Sequence, residues 1–170
     1  MNLTEVSIRA ASEADLPAIR DIYNEAVRHT TAIWNEEEVD LADRRLWYQA
    51  RITRGFPVLV AAQNDTILAY ASYGDFRTFA GYRFTVENSI YVHRNHRGQG
   101  VAKELLPALI EHARAAGLHT MIAGIEAQNA ASLSLHEKFG FVEVGRLPEV
   151  GFKFGRYLDL VFMQLQLQSR

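Results

Sequence analysis

The sequence predicts a single α/β domain. Its 170 residues match the size of one ordinary domain, and 48% of them are hydrophobic, which is enough for a sizeable core. Strand-like alternation and helix-like periodicity follow one another along the whole chain. No linker, low-complexity tract or internal repeat interrupts them. These observations favour one domain that spans residues 1–170.

The chain opens with a predicted strand and a predicted helix. Val6, Ile8 and Ala10 alternate with polar residues, which is typical of a strand. Ser12 and Asp15 then form the pattern of a capping box, which starts a helix. The apolar residues of that helix recur at helical spacing: Leu16, Ile19, Ile22, Tyr23, Ala26 and Val27.

A second helix and a hairpin follow. The helix is predicted over residues 41–54 and stops at Gly55. Two apolar runs, 58–62 and 67–73, are separated by the polar turn 63–65. This pattern indicates a β-hairpin.

The C-terminal half continues the alternation. Gly117 and Gly140 each end a helical pattern, and Asn129 is a suitable N-cap for the shorter helix. The predicted elements are a strand over 84–92, an amphipathic helix over 98–116, a strand over 120–125, a short helix over 130–139 and closing strands over 141–144 and 157–167.

Composition narrows the possible functions. The formal net charge is only -2 and no basic block is present, which argues against a general nucleic-acid binder. A chain without cysteine has no disulfide, thiolate metal site or cysteine nucleophile, and the histidines show no metal-ligand spacing. Neither a secretory signal nor a membrane-spanning run is visible. We therefore expect a cytoplasmic protein without a metal, a nucleic-acid partner or a membrane segment.

The most informative segment is residues 90–103, where a strand runs through a glycine-containing loop into a helix. Gly98 and Gly100 let the backbone approach a ligand closely, and the first helical turn has amides without helical partners. Such a turn suits a diphosphate, to which Arg97 could add charge-assisted hydrogen bonds. On glycine spacing alone, a connection that binds nothing is an equally good interpretation. The absence of a Gly-Lys-Ser/Thr sequence excludes a P-loop.

Two motifs together resemble a known family. The Arg-x-x-Gly-x-Ala pattern at 97–102 resembles the acetyl-CoA motif of the GNAT acetyltransferases, and Asn-x-x-Ser at 129–132, followed by Gly-Phe at 140–141, is similar to a second family motif. The resemblance implies acetyl-CoA as co-substrate and a mixed, mostly antiparallel sheet with a splayed central strand pair and helices on both faces. It also implies the residues that bind acetyl-CoA: Ile90, Tyr91, Val92, Arg97, Gly98, Gln99, Gly100, Val101, Ala102, Lys103, Asn129 and Ser132.

Within that family, the chain resembles the branch of the phosphinothricin and methionine sulfoximine or sulfone acetyltransferases. This resemblance implies an enzyme that acetylates the α-amino group of amino acids with tetrahedral, oxygen-rich side-chain ends. It also implies a detoxification or herbicide-resistance role and a homodimer. The resembling segments are residues 22–24, 31–32, 73–77, 86–92, 135–141 and 151–159. Two alternatives remain: a family enzyme that acts on another amine or a protein N-terminus, and a non-catalytic module that senses acyl-CoA.

Glu87 is the predicted catalytic carboxylate, because the resembling family places a carboxylate there facing the acceptor. A free Glu titrates near ~4.3, well below an amine near ~8, so it is a poor direct base. Either burial raises its pKa, or a water carries the proton and Glu87 orients that water; we favour the water. A surface Glu at a strand end is the alternative. A backbone N–H of residues 90–92 would stabilise the oxyanion.

His136 is the second candidate catalytic residue. Many family members carry a Tyr at this position as general acid for the leaving thiolate, whereas the phosphinothricin-like branch tends to have His. A thiol with a pKa near ~8.5 needs little help to leave. A general acid and a packed helix residue are therefore equally supported.

The resemblance also places an acceptor pocket. Arg77 and Thr78 are expected to bind the substrate carboxylate, although a solvated loop arginine is the simpler interpretation without the resemblance. Trp34 is either a wall of the pocket or a core aromatic between two helices. Lys153, expected in a loop before the last strand, would suit a sulfonyl, sulfoximine or phosphinate oxygen, or is simply exposed. The full set of expected acceptor contacts is Trp34, Arg77, Thr78, Phe79, Glu87, Asn88, Ser89 and Lys153.

Overall fold

The computed structural model describes residues 6–168, and its centre is a seven-stranded sheet with the order β1-β2-β3-β4-β5-β7-β6. Helices cover both faces, as expected. The strands are β1 (Ser7–Ala10), β2 (Val58–Gln63), β3 (Thr66–Asp75), β4 (Thr85–Val92), β5 (Thr120–Glu126), β6 (Val142–Lys153) and β7 (Arg156–Gln166). The helices are α1 (Leu16–His29), α2 (Leu41–Thr53), α3 (Val101–Ala115) and α4 (Ala130–Lys138).

Alternate residues of the sheet build two separate cores. Ala69, Ala71 and Tyr73 of β3 pack with the apolar face of α3. Tyr70, between them in sequence, packs on the opposite face with Leu16 and other residues of α1. Because successive side chains of a strand point to opposite faces, β3 supports a helical layer on each side.

The central strand pair is splayed. β4 and β5 are the only parallel neighbours among the described strands, and their pairing covers only residues 85–87 and 120–122. β3 remains paired with β4 as far as Val92. β4 and β5 therefore separate after Glu87, and the predicted gap opens between residues 88–92 of β4 and the end of β5.

The start of α1 confirms the predicted capping box. The Asp15 carboxylate accepts from the Ser12 N–H at 2.7 Å and pairs with Arg9 at 2.7 Å. These two partners, chiefly Arg9, lower the pKa of Asp15 to about 2. The cap thus joins the end of β1 to the first turn of the helix.

The third helix begins later than its sequence pattern indicates. Residues 94–96 form a short 3-10 turn, and α3 starts at Val101 rather than at residue 98. Gly98 and Gly100 have φ angles of 73° and 85°, in the left-handed region where a right-handed helix cannot continue. The two glycines therefore belong to the loop before the helix.

The last hairpin also differs from the prediction. β6 runs over twelve residues to Lys153, whereas the sequence indicated a strand only over 141–144. Its register shifts between Glu143 and Gly145 and again between Leu147 and Gly151. These irregularities break the alternation of apolar and polar residues that marks a strand, so the sequence pattern does not predict the rest of β6.

No helix among residues 6–168 has the length and apolar character needed to cross a membrane.

Candidate active site

The loop before α3 presents a row of backbone amides. The N–H groups of residues 97–102 donate to no other group of the described chain. A Cβ atom on Gly98 would meet no atom within 4 Å, so open space lies beside the backbone there. Together with the positive end of the α3 dipole, these amides form a site that is suited to a diphosphate.

Two contacts fix the guanidinium group of Arg97 beside the amides of this loop. Its Nε donates to the carbonyl oxygen of Val92 at 3.2 Å, and its guanidinium pairs with Glu25 of α1. Glu25 is buried, and sequence reasoning missed it. A carboxylate on the apolar side of α1 was the available signal, because a buried charge needs a partner.

The gap between β4 and β5 leaves backbone groups of β4 available to a ligand. His93 donates to Leu68 and Phe76 donates to Thr85, which shows that the odd-numbered residues of β4 bond to β3. In an antiparallel ladder the even-numbered residues then direct their N–H groups to the other side. Of the three expected oxyanion donors, Ile90 and Val92 face the gap, and Tyr91 faces β3.

Glu87 lies where the strands separate. Its Oε1 is 2.9 Å from the position that a Cβ atom on Gly124 of β5 would occupy, so the carboxylate lies over that glycine. Burial raises the pKa of Glu87, and the positive charge of Arg77 opposes this rise. No donor of residues 6–168 hydrogen-bonds its carboxylate.

The segment that follows β3 is exposed and cationic. The Arg77 guanidinium lies 5.2 Å from the Phe76 ring centroid and is close enough to influence the Glu87 carboxylate. Thr78 is exposed, and Phe79 exposes 76% of its surface. The opposite charges of Arg77 and Glu87 therefore interact near the point where β4 and β5 separate.

His136 is packed inside the chain. Its ring is 3% exposed, and Nδ1 lies 2.7 Å from the carbonyl oxygen of Ser132, so Nδ1 carries the proton. Burial lowers the pKa of His136, which leaves Nε2 as an acceptor. Nε2 faces the Asn88 side-chain amide at 3.3 Å. This arrangement favours the packed helix residue over the general acid.

The Asn88 amide has a clear preferred orientation. Its Oδ1 is placed toward Nε2 of His136, while the buried Nδ2 has no partner among the described residues. Exchanging the two atoms lets Nδ2 donate to Nε2. Asn88 thus joins β4 to α4. Ser89 points to the opposite face of β4, which is the face that also carries the Glu87 side chain.

Trp34 belongs to the loop that joins α1 to α2, and its ring packs on strand β6, not between two helices as one alternative expected. A Cβ atom on Gly151 of β6 would be 2.4 Å from two carbons of the indole ring, so the ring lies directly on that glycine. The indole N–H donates to the carbonyl oxygen of Thr31 at 2.9 Å.

The expectation for Lys153 was wrong in its placement. Lys153 is the last residue of β6 rather than part of a loop, and it is 1% exposed. Its Nζ donates to the carbonyl oxygens of Thr30 at 2.8 Å and Ile33 at 2.5 Å. The ammonium is therefore engaged inside the chain rather than presented to a substrate oxygen.

The separated central strands, the available amides before α3 and the carboxylate between the strands are the arrangement expected of an acyl-CoA-dependent acyltransferase. Residues 17–141 match the model of the acetyltransferase (GNAT) family. The chain belongs to that family.

Named relatives cover almost the whole chain. An L-methionine sulfoximine/L-methionine sulfone acetyltransferase from Pseudomonas paraeruginosa is 58% identical over 95% of this chain and 94% of the relative. The L-amino acid N-acyltransferase MnaT from Escherichia coli is 54% identical over 97% of this chain and 96% of the relative. The solved structure of yncA, a putative acetyltransferase from Salmonella typhimurium with acetyl-CoA, is 53% identical, with a TM-score of 0.96 over 98% of this chain and 96% of that one.

Proposed function

We propose that this acetyltransferase transfers the acetyl group of acetyl-CoA to the α-amino group of a small amino acid whose side chain ends in a tetrahedral, oxygen-rich group. L-Methionine sulfoximine and L-methionine sulfone are the proposed acceptors, with L-phosphinothricin as a further member of the class. The observation that carries the proposal is the half-buried Glu87 carboxylate over Gly124, at the point where the strands separate, with the positive charge of Arg77 near enough to lower its pKa. An amino acid brings an ammonium that complements Glu87 and a carboxylate that complements the planar guanidinium of Arg77. The relatives that are named L-methionine sulfoximine/L-methionine sulfone acetyltransferases support the same class of acceptor.

Acetyl-CoA would bind along the gap. The amides of residues 97–102 and the guanidinium of Arg97 would hold its diphosphate, with Asn129 and Ser132 on the other side of the gap. The N–H groups of Ile90 or Val92 would then bind the thioester oxygen. A preorganised donor of this kind contributes about 3 kcal/mol to the transition state of acyl transfer.

The reaction needs a neutral amine. Glu87 attracts the ammonium form of the substrate and accepts its proton through a bound water. The amine lone pair then attacks the thioester carbon, a C–N bond forms, and the carbonyl becomes an oxyanion held by the backbone amide. As the oxyanion collapses, the C–S bond breaks and CoA leaves as a thiolate, which takes up a proton from solvent. Burial raises the pKa of Glu87, and the positive charge of Arg77 opposes this rise and so favours the ionised carboxylate.

His136 acts through Asn88 in this proposal. The neutral imidazole accepts from the Asn88 amide and donates to Ser132, so it fixes β4 relative to α4 on either side of the gap. A CoA thiol with a pKa near ~8.5 leaves without a dedicated acid. His136 is thus proposed as a positioning residue.

A broader acceptor range is the second candidate. The 54% identical relative from Escherichia coli is named as an L-amino acid N-acyltransferase, without a particular side chain. The charge pair of Glu87 and Arg77 recognises the part that all amino acids share. In this alternative the side chain of the acceptor contributes little to affinity.

The protein is also proposed to be a cytoplasmic homodimer that detoxifies amino-acid analogues, including herbicides. β6 is an edge strand, and the β6–β7 hairpin carries apolar side chains that expose more than half of their surface. A second copy that packs against this hairpin would bury some of these side chains. They are Val142, Val144, Val150, Phe152, Phe154 and Tyr157. Sedimentation equilibrium tests the dimer, and a monomer at micromolar concentration would contradict it.

An acetylation assay tests the proposed function. CoA release is followed with methionine sulfoximine, methionine sulfone, phosphinothricin, ordinary amino acids and polyamines as acceptors. We expect the highest kcat/KM for methionine sulfoximine, methionine sulfone and phosphinothricin. Equal turnover of all amino acids would support the broader range, and tight acetyl-CoA binding without turnover of any amino acid would overturn both.

A further inference from the structure

The segment between α1 and α2 that carries Trp34 is tied to the sheet by two buried charged residues. We call residues 30–34 the pocket segment; they have no regular helix or strand structure. Lys153 of β6 donates to the carbonyl oxygens of Thr30 and Ile33 from below. Thr31 donates its hydroxyl to Glu126 of β5 at 3.0 Å. Two strands therefore hold the same short segment.

Lys153 is an unusual component of the protein interior. Its ammonium is buried and forms no ion pair with a carboxylate within residues 6–168. Burial lowers its pKa, and the more distant charge of Glu36 acts in the opposite direction. A buried ammonium costs free energy unless its donors are satisfied, and here two backbone carbonyls of the pocket segment accept from two of its three N–H groups. The side chain is thus matched to one conformation of this segment.

Glu126 supplies the second attachment. It is 6% exposed; its Oε2 accepts from Thr31 and its Oε1 accepts from the N–H of Gln128 at 3.1 Å. Glu126 is the last residue of β5, two positions after Gly124, over which the Glu87 carboxylate lies. Residues two apart on a strand share a face, roughly 7 Å from each other. The hydrogen bond between Thr31 and Glu126 therefore lies on the same face of β5 as the Glu87 carboxylate.

We propose that Lys153 and Glu126 are positioning residues that fix the pocket segment beside Glu87 and thereby set the affinity for the acceptor. Trp34 continues this attachment, because its indole N–H donates to Thr31 and its ring rests on Gly151. The effect on the acceptor rests on the proposed function, in which Trp34 forms a wall of the acceptor pocket. The effect of Lys153 and Glu126 on the conformation of the pocket segment does not depend on the identity of the acceptor.

Two variants test the attachment from its two ends. Lys153→Met removes the ammonium at similar length, and Thr31→Val removes the hydroxyl donor to Glu126 while keeping the shape of the side chain. Lys138→Met and Thr53→Val are matched controls at exposed positions on α4 and α2. For each variant of the pair we expect the acceptor KM to rise about tenfold, with the KM for acetyl-CoA unchanged. A purely structural loss of stability would not separate the two KM values.

Trp34 fluorescence gives a readout that needs no turnover. The chain has two tryptophans, so Trp47→Phe leaves Trp34 as the only reporter. In that background, Lys153→Met and Thr31→Val should shift Trp34 emission to longer wavelength and increase its quenching by acrylamide, whereas the controls should not. If Lys153→Met does not fold, Thr31→Val decides the result alone.

The outcomes separate this inference from the proposed function. Unchanged emission and quenching in the variants would overturn the positioning role, even if the wild-type enzyme acetylates amino acids. A loss of turnover in Lys153→Met with unchanged emission would also overturn it, because Lys153 would then contact the substrate directly. Altered Trp34 emission supports the attachment even if no amino acid is turned over.

Discussion

The Glu87 carboxylate lies over Gly124 of the neighbouring strand, with Oε1 only 2.9 Å from where a Cβ atom of residue 124 would be. The two residues stand on opposite sides of the point where β4 and β5 separate. Glycine at position 124 therefore provides the space that the Glu87 carboxylate occupies.

Gly124→Ala should move the carboxylate without harming the fold. The nearest atom to the added methyl group is the far end of a flexible side chain, so Glu87 gives way rather than the backbone. We expect kcat to fall about tenfold to a hundredfold, as for other small misplacements of a catalytic group. Thermal unfolding should change little. Gly145→Ala, where a Cβ atom meets nothing within 4 Å, is the control and should keep full activity. Full activity in Gly124→Ala would mean that the carboxylate position is unimportant.

The pH dependence of kcat/KM should report Glu87. Burial raises its pKa, so the acidic limb of the profile should lie above the range of an ordinary Glu. Arg77 lowers the same pKa, and Arg77→Met should therefore move this limb to higher pH as well as raise the KM for the acceptor. Arg83→Met, at another arginine in the same connection, should leave the limb in place. An acidic limb that does not respond to Arg77→Met would show that another group titrates.

Arg97 should contribute to acetyl-CoA affinity. Its guanidinium is held beside the amides of residues 97–102 by Val92 and Glu25. We expect Arg97→Gln to raise the Kd for acetyl-CoA about tenfold, because a charge-assisted hydrogen bond to a phosphate is lost. Isothermal titration calorimetry measures this, with Arg45→Gln on the exposed side of α2 as the control. Equal Kd values for the two variants would place the diphosphate elsewhere.

The Asp15 cap should stabilise the fold in a pH-dependent way. Its folded pKa of about 2 lies below the ordinary value of a free Asp, so its contribution is present above about pH 4 and is lost as the pH falls toward 2. Asp15→Asn should lower the free energy of unfolding at pH 7 by about 1–2 kcal/mol, allowing for the partial exposure of Arg9. Urea denaturation at pH 7 and at pH 3 measures the difference, which should shrink at the lower pH. Asp21→Asn, at an exposed pair on α1, should have little effect at either pH.

Local pattern was sufficient for most of the fold. Apolar periodicity located α1 and α3, because a helix that covers a sheet must be apolar on one face. The glycine-containing loop located the helix start, although the left-handed glycines delay α3 to Val101. Most of β6 was not predicted as a strand, because its bulges break the alternation of apolar and polar residues and its edge position leaves many residues exposed.

The candidate site was harder to predict, because its supports are distant in sequence. Arg97 meets Glu25 across 72 positions, and Thr31 meets Glu126 across 95. Neither pair leaves a local signal beyond a charge on an apolar face. Lys153 was misplaced for the same reason, since only the folded chain brings it to the carbonyls of Thr30 and Ile33.

The most direct test of the account is the steady-state rate of Glu87→Gln with methionine sulfone at neutral pH. The substitution keeps the shape of the side chain and removes the negative charge that attracts the ammonium and receives its proton. We expect kcat to fall about a hundredfold or more while the KM for acetyl-CoA stays the same. An unchanged kcat would contradict the account, because the acceptor would then lose its proton without the carboxylate at the strand gap.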